Sequence, residues 1–209
     1  MRALQARLDA GDPVSAGTLE ELVKRHGGRV AMWCVNHADD YALSDAVLAA
    51  VCASEDAALA AVSREEAMSD RVLLAAMGAW ESAAVKIARN SEWLRPSVRD
   101  RLMGDDRNKV LSAFASRADV SDAELALLVS RSQSVARSVA LTDAPLSESA
   151  LLAVVNALDD VSPVLSRADV TPRVLAAACE RVDADGARWL AVVIAVFSML
   201  ATASLSRSR

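Results

Sequence analysis

Cys34 and His37 are the two side chains whose types and spacing could together bind a metal ion. A helix would bring both to one face, because residues one turn apart lie on the same side. Asp39 and Asp40 follow directly and add carboxylates nearby. Protein zinc sites need three or four ligands, however, and His26, the other histidine, fits a helix end better than a ligand set. We therefore predict no metal site.

Sequence motifs for nucleophilic or phosphate chemistry are absent. The chain has no Gly-x-Ser-x-Gly elbow, no glycine-rich phosphate loop and only one Tyr. Its three cysteines, an odd number without a CxxC pair, are typical of buried thiols in a reducing compartment, and no export signal precedes them. The sequence predicts no catalytic residue and no cofactor, and it favours a cytoplasmic location.

One stretch, 81–109, is basic in a chain whose net charge is −5. Its Lys and Arg residues are interrupted by five acidic residues, a mixed-charge pattern that argues against nucleic acid as the partner. Two tryptophans lie nearby, at joints between predicted helices, and clustered aromatic and Arg side chains are typical anchors for a protein partner. The candidate binding residues are Trp80, Arg89, Trp93, Arg95, Arg99, Arg101 and Arg107.

A regular internal repeat must position these residues. The segments SRADVSDAEL (116–125) and SRADVTPRVL (166–175) are nearly identical and lie 50 residues apart, which is two periods. A Ser or Thr recurs every 24 to 26 residues, with one Arg in its place; the seven anchors are Thr18, Ser44, Ser69, Arg95, Ser121, Ser147 and Thr171. Because a hydroxyl can accept a hydrogen bond from the free N–H groups of a helix's first turn, each anchor predicts a helix start.

Apolar residues follow each anchor at fixed positions. Those four and seven residues later predict a buried stripe on a first helix, and those about fourteen and eighteen residues later predict a shorter second helix. Thr18 with Glu21, and Ser121 with Glu124, have the spacing of a capping box. Neither helix could bury its stripe alone, so neighbouring repeats must stack. The sequence predicts an all-α chain, an α-solenoid of about seven two-helix repeats.

The repeat pattern resembles a known family. It reads Ser-x-x-Val-Leu-x-x-Val, then an acidic joint, then Val-x-x-x-Val-Ala/Leu-x-Arg, and is similar to the leucine-rich repeat variant and, more loosely, to HEAT-like repeats. The resemblance covers residues 18 to about 195. It implies an α-helix paired with a second short or 3₁₀ helix, a right-handed superhelix, and partners of many kinds. HEAT-like DNA glycosylases give an enzymatic alternative, which the acidic balance of this chain opposes.

The two ends of the chain differ from the repeats. We predict an N-terminal cap at 1–17, with a helix at 2–10, then repeats at 18–195 and a C-terminal cap or tail at 196–209. The segment 189–205 has seventeen residues without a charge, at the short edge of a membrane span. Trp189 fits the second helix of the seventh repeat, so a buried C-terminal helix is favoured over a membrane anchor, which stays the alternative.

The fourth repeat breaks the pattern. Arg95 replaces its helix-capping Ser or Thr, and Arg99 replaces the Leu four residues later. Losing a cap costs about 1 kcal/mol, so we hypothesise that this repeat is kept for binding. Trp93 would be the aromatic anchor, and the arginines, with Arg101, would face an acidic or phosphate-bearing partner. The leading prediction is a non-catalytic scaffold that holds another protein.

Overall fold

The computed structural model of this chain describes residues 6, 10, 16–26, 28–38, 43–64 and 68–181. Throughout these ranges the secondary structure is helical, and no strand occurs in them. The all-α prediction is therefore confirmed for the described part of the chain. The predicted cap helix at 2–10, apart from residues 6 and 10, and the apolar segment 189–205 lie outside the described residues.

The chain divides into two compact units after Arg117. The first unit contains eight described α-helices and one 3₁₀ turn. They are α1 (Ala16–His26), α2 (Gly28–Asn36), α3 (Asp45–Val51), α4 (Glu55–Ala61), α5 (Asp70–Ala79), α6 (Glu81–Arg89), the 3₁₀ turn Ser91–Trp93, α7 (Pro96–Met103) and α8 (Asn108–Ala115).

The second unit begins at Ala118 and contains five described helices. They are α9 (Asp122–Arg131), α10 (Gln133–Ala140), α11 (Glu148–Ala157), α12 (Ser162–Leu165) and α13 (Pro172–Arg181). The second helix of each pair varies in length. It has four residues in α12 and seven to nine residues in the others.

The predicted anchors mark the helix starts. Five of them are N-cap residues with extended backbone, and the sixth, Thr171, directly precedes α13. Ser121 and Glu124 form the predicted capping box, with both reciprocal hydrogen bonds present. At the seventh anchor the helix begins within two residues of the predicted place, but the capping position differs. Since α1 begins at Ala16, Thr18 lies inside the first turn rather than at the N-cap.

Helices pack against the helix two positions away. In the first unit α1, α3, α5 and α7 follow one another in one row, and α2, α4, α6 and α8 follow one another in a second row. In the second unit α9, α11 and α13 form one row, and α10 contacts α12. Within each helix pair the two helices also contact each other. The apolar stripes of consecutive helix pairs therefore share one core within each unit.

The predicted stripes form this core. Six of the seven residues that lie seven positions after an anchor are fully buried, and Arg25, after Thr18, is exposed; the six are Val51, Ala76, Leu102, Leu128, Val154 and Ala178. The predicted second-helix positions are also buried at Ala58, Val62, Ala83, Ile87, Phe114, Val135, Val139 and Val161, whereas Leu165 is half-buried. Packing of these stripes stabilises the helices far more than their local propensities do, since isolated helices of this length are marginal in water.

Candidate functional site

The predicted binding residues separate into two groups. Trp80 and Arg107 both lie at the joint between a first and a second helix, as the N-cap residues of α6 and α8. The indole Nε1 of Trp80 donates to the backbone oxygen of Cys52, at the end of α3, at 2.9 Å. The Nη2 of Arg107 donates to the backbone oxygen of Met77, in the last turn of α5, at 2.8 Å. Each side chain thus binds a carbonyl at the C-terminal end of the first helix in the pair before its own. Such a carbonyl has no hydrogen-bond partner within its own helix.

Asp105 orients the guanidinium of Arg107. The Arg107 Nε and backbone N each donate to Asp105 Oδ1 at 2.9 Å, and Nη2 donates to Oδ2 at 2.6 Å. Asp105 is the buried charged residue of the described core, with 4% exposure. Burial alone would raise its pKa, but the hydrogen bonds and charge of Arg107 outweigh that effect and hold the pKa below its ordinary value. Arg107 is therefore a structural residue.

Arg95 makes no capping hydrogen bond, but its side chain reaches the start of the first helix in the preceding pair. Its Nη1 lies 2.7 Å from Asp70 Oδ1, and its Nη2 donates to the backbone oxygen of Met68. Asp70 also accepts a hydrogen bond from Ser97. The same arrangement recurs in the second unit, where Ser147 and Ser149 donate to Asp122. An acidic residue at the start of one first helix thus accepts bonds from the anchor region of the next, and Arg95 makes this link with a longer side chain.

Trp93 and Arg99 are parts of the packing of the first unit. Trp93 lies in the 3₁₀ turn and is 2% exposed, so it cannot be the surface anchor that we expected. A partner could not contact the Trp93 ring, because the ring is buried in the core. Arg99 places its guanidinium carbon 5.2 Å from the centre of the Phe114 ring, a cation–π contact that covers the buried aromatic side chain. Arg99 therefore substitutes for the Leu of other repeats in packing.

Arg89 and Arg101 are the two predicted binding residues whose side chains are exposed. Arg89 lies in the last turn of α6 and Arg101 in the last turn of α7, where cations interact favourably with the helix dipole. The structure therefore does not gather the seven predicted residues into one surface. Five of them make contacts within the fold, although 40% of the Arg95 side chain is exposed, and Arg89 and Arg101 are exposed.

Three arginines that the sequence reasoning did not single out have the same capping role on the second helices. Arg64 donates to the backbone oxygen of Val35 at 2.7 Å, Arg117 to that of Ala88 at 3.2 Å, and Arg167 to that of Ala140 at 3.2 Å. Each acceptor lies in the last turn of the preceding second helix. The signal was present in the recurring Ser-Arg-Ala-Asp segment, whose similarity had indicated the repeat period but no role for the arginine.

Arg167 makes the largest set of these contacts. Besides Ala140, its guanidinium donates to the backbone oxygens of Thr142 at 2.5 Å and Ala144 at 2.8 Å. Its Nε and Nη2 also donate to the two carboxylate oxygens of Asp169, at 2.8 and 2.6 Å. These bonds, with a further one from the backbone N of Leu146, lower the pKa of Asp169 to about 2 against the opposing effect of burial. The pair fixes the loop between α10 and α11.

A pocket of about 430 Å³ lies beside this loop in the second unit. Leu141, Pro145 and Pro163 contribute apolar walls, and Arg167 and Asp169 also line it. Its volume is within the range of about 300 to 1,000 Å³ that is usual for ligand sites. The sequence gave no indication of it, because the pocket depends on the path of the loop.

Cys34 and His37, the two candidate metal ligands, both pack against other residues of the fold. Cys34 is fully buried, and burial raises the pKa of its thiol to about 11. Cys52 is equally buried, with a pKa raised to about 11 for the same reason. His37 packs its ring 4.8 Å from that of Trp33. Such thiols are protonated and unreactive at neutral pH. Within the described ranges, no three His, Cys, Asp or Glu side chains come together in a way that could hold a metal ion.

Every described helix falls short of the length and apolar character that a membrane crossing requires. Comparison of the chain with family models, with curated proteins and with solved structures finds no match.

Proposed function

We propose that this chain is a non-catalytic scaffold, an α-solenoid of about seven two-helix repeats in a right-handed superhelix, that binds a protein partner in the cytoplasm. The observation that supports it best is the packing of alternate helices into rows, with side chains that join each helix pair to the one before it. Repeat proteins built in this way present extended surfaces, and binding is their usual use.

The chemistry of the polar side chains supports a binding role. Arg64, Arg107 and Arg167 are engaged by backbone carbonyls, and the buried thiols have raised pKa values. A catalytic site needs a nucleophile, acid or base whose partners activate it toward a substrate. The strongest polar clusters of the described residues instead stabilise helix ends.

An acidic protein is the favoured partner, and nucleic acid is disfavoured. Arg95 is paired with Asp70, and Arg107 is paired with Asp105, so neither guanidinium presents an uncompensated charge. A duplex-binding surface needs several such charges in a row. Arg89 and Arg101 are exposed and would attract acidic side chains at the rim of an interface.

The test uses the full chain, captured with its partner from the native source and then reconstituted from the two purified proteins. Calorimetry should show a complex of fixed stoichiometry, which the double variant R89E/R101E weakens about tenfold through lost charge complementarity. Arg71→Glu is the matched control, because Arg71 is exposed on α5 and outside the predicted site. Failure of any captured protein to bind on reconstitution, or tight salt-dependent retention on duplex DNA, would contradict the scaffold proposal.

A further inference from the structure

The residue after α10 differs from the residues after α8 and α12, the two second helices that are followed by the Ser-Arg-Ala-Asp segment. The residue that follows the helix is Ser116 after α8 and Ser166 after α12, and both hydroxyls donate to a backbone oxygen of their own helix, at 2.8 and 3.1 Å. After α10 the corresponding residue is Leu141. It is 64% exposed, more than any other large hydrophobic side chain in the described residues. An exposed Leu gains no burial at this position, so stability does not explain it.

Leu141 borders the pocket described above. Pro145 and Pro163 give the pocket two rigid apolar walls, and Pro163 is buried. The Arg167 guanidinium donates to the carbonyls of Thr142 and Ala144, so the loop is held in place by bonds that need no ligand. A preformed pocket costs a partner little ordering entropy, which is the condition under which a single apolar side chain can contribute measurable affinity.

The charges around the pocket decide the kind of partner. Three charged residues line it: Arg167, Asp169 and Asp143. Arg167 and Asp169 neutralise each other through two hydrogen bonds, at 2.8 and 2.6 Å. Asp143 is exposed, and no described residue forms an ion pair with it. The lining therefore has one surplus negative charge, at its exposed side, which complements a cation and repels an acidic segment.

We propose that this pocket binds a peptide segment of a partner protein in which an apolar side chain stands next to a Lys or Arg. The apolar side chain would occupy the space between Leu141, Pro145 and Pro163, and the cation would pair with Asp143. The proposal rests on the proposed scaffold function and adds a second site to it, in the second unit, which takes a local basic segment, whereas Arg89 and Arg101 belong to the first unit and would take acidic side chains. An anionic ligand is disfavoured, because carbonyl oxygens and Asp169 already surround the one guanidinium in the lining.

The experiment uses the full chain and three synthetic peptides with central sequences Lys-Leu-Lys, Lys-Ala-Lys and Glu-Leu-Glu. NMR of methyl groups reports on Leu141, Ala140 and Ala144 directly. The Lys-Leu-Lys peptide should shift these resonances on titration, and the other two should bind at least about fivefold more weakly. Equal binding of all three peptides, or no shift at the pocket with any of them, would overturn the proposal.

Two variants separate the pocket from the fold. Leu141→Ser introduces the residue found at the equivalent positions 116 and 166, and substitution of an exposed residue changes stability little, so the melting temperature should be nearly unchanged while Lys-Leu-Lys binding is lost. Asp143→Asn should weaken the binding about fivefold and remove most of its salt dependence. If L141S binds the peptide as well as the wild type, the pocket is not the site.

The outcome can be distinguished from failure of the scaffold proposal itself. A reconstituted partner that binds wild type and L141S with the same affinity would refute the pocket and leave the scaffold standing. Peptide binding at the pocket without any reconstituted protein partner would support the pocket chemistry and count against the scaffold.

Discussion

Two Arg–Asp pairs with the same two-residue spacing, one in each unit, bury opposite members. In the first unit Asp105 is almost fully buried, with 1% of its side chain exposed, whereas Arg107 is 25% exposed. In the second unit Arg167 is 9% exposed and Asp169 is 24% exposed. Both arginines bind carbonyl oxygens at the end of a preceding helix or its loop. Removing the exposed member of such a pair leaves the buried member as an unpaired charge. The more buried member therefore determines which substitution is the more destabilising one.

The largest effect is expected for Arg107→Ala, which leaves the buried carboxylate of Asp105 without its cation. Breaking a buried pair from one side costs about 3 to 5 kcal/mol, and the carbonyl of Met77 would lose its donor as well. Urea denaturation measures the change in the free energy of unfolding. Arg71→Ala, at an exposed position on α5, is the control and should cost less than about 0.5 kcal/mol. Equal effects of the two variants would show that the Asp105–Arg107 pair contributes no special stability.

Arg167→Ala should cost less, about 2 to 3 kcal/mol, although it removes more hydrogen bonds. Asp169 would keep the backbone donor of Leu146 and could reach water, so no buried charge would be left unpaired. The loop at 141–147 would lose the contacts at the carbonyls of Thr142 and Ala144, and its amides should exchange with solvent faster. Denaturation and hydrogen exchange together check this. A cost above that of Arg107→Ala would reverse the comparison.

The lowered pKa of Asp169 predicts how the free energy of unfolding depends on pH. A carboxyl whose pKa is lower in the folded state contributes stability above its unfolded pKa, and this contribution is lost as the pH falls through the folded pKa. For Asp169 that window lies between its ordinary value of 3.8 and about 2. The wild type should therefore lose about 1 to 2 kcal/mol more than Asp169→Asn between pH 5 and pH 2, measured by thermal unfolding. Parallel curves for the two proteins would contradict the assigned pKa.

The smallest effect is expected for an ion pair with no buried member. Lys109 lies 3.3 Å from Glu81, and the two side chains are 78% and 40% exposed. Because water and salt screen such a pair, Lys109→Ala should change the free energy of unfolding by less than about 0.5 kcal/mol. The measurement is the same denaturation series. A loss above about 1 kcal/mol would mean that burial does not rank these pairs.

The helix starts and the core could be predicted from the sequence because their signals are local. Ser121 with Glu124 forms a capping box within one turn, and the apolar residues of each stripe lie within one helix. The contacts between helix pairs could not be predicted in this way. Trp80 and Arg107 bind carbonyl oxygens 28 and 30 residues away, and no side-chain pattern identifies a carbonyl as an acceptor.

The structural contacts of the candidate binding residues could not be predicted for the same reason. Arg95 and Arg99 looked unfavourable to stability when only their own helix was considered, since one lacks a cap and the other a Leu. Their partners, Asp70 and the ring of Phe114, belong to other helices. Trp93 looked exposed because it falls between predicted helices, but the 3₁₀ turn directs it into the core. Exposure of a residue in a joint depends on tertiary packing, which periodicity does not describe.

The capping arginines also bear on how such a chain could lengthen or diverge. Each of them recognises a main-chain oxygen, which every amino acid supplies, rather than a particular side chain. A tandem duplication of one helix pair would therefore bring its own donor and meet a suitable acceptor in whatever pair precedes it. Mutations on the outer surface would leave that recognition untouched. Exposed residues of each helix pair can accordingly change during evolution while the arginine–carbonyl contacts between neighbouring pairs stay the same.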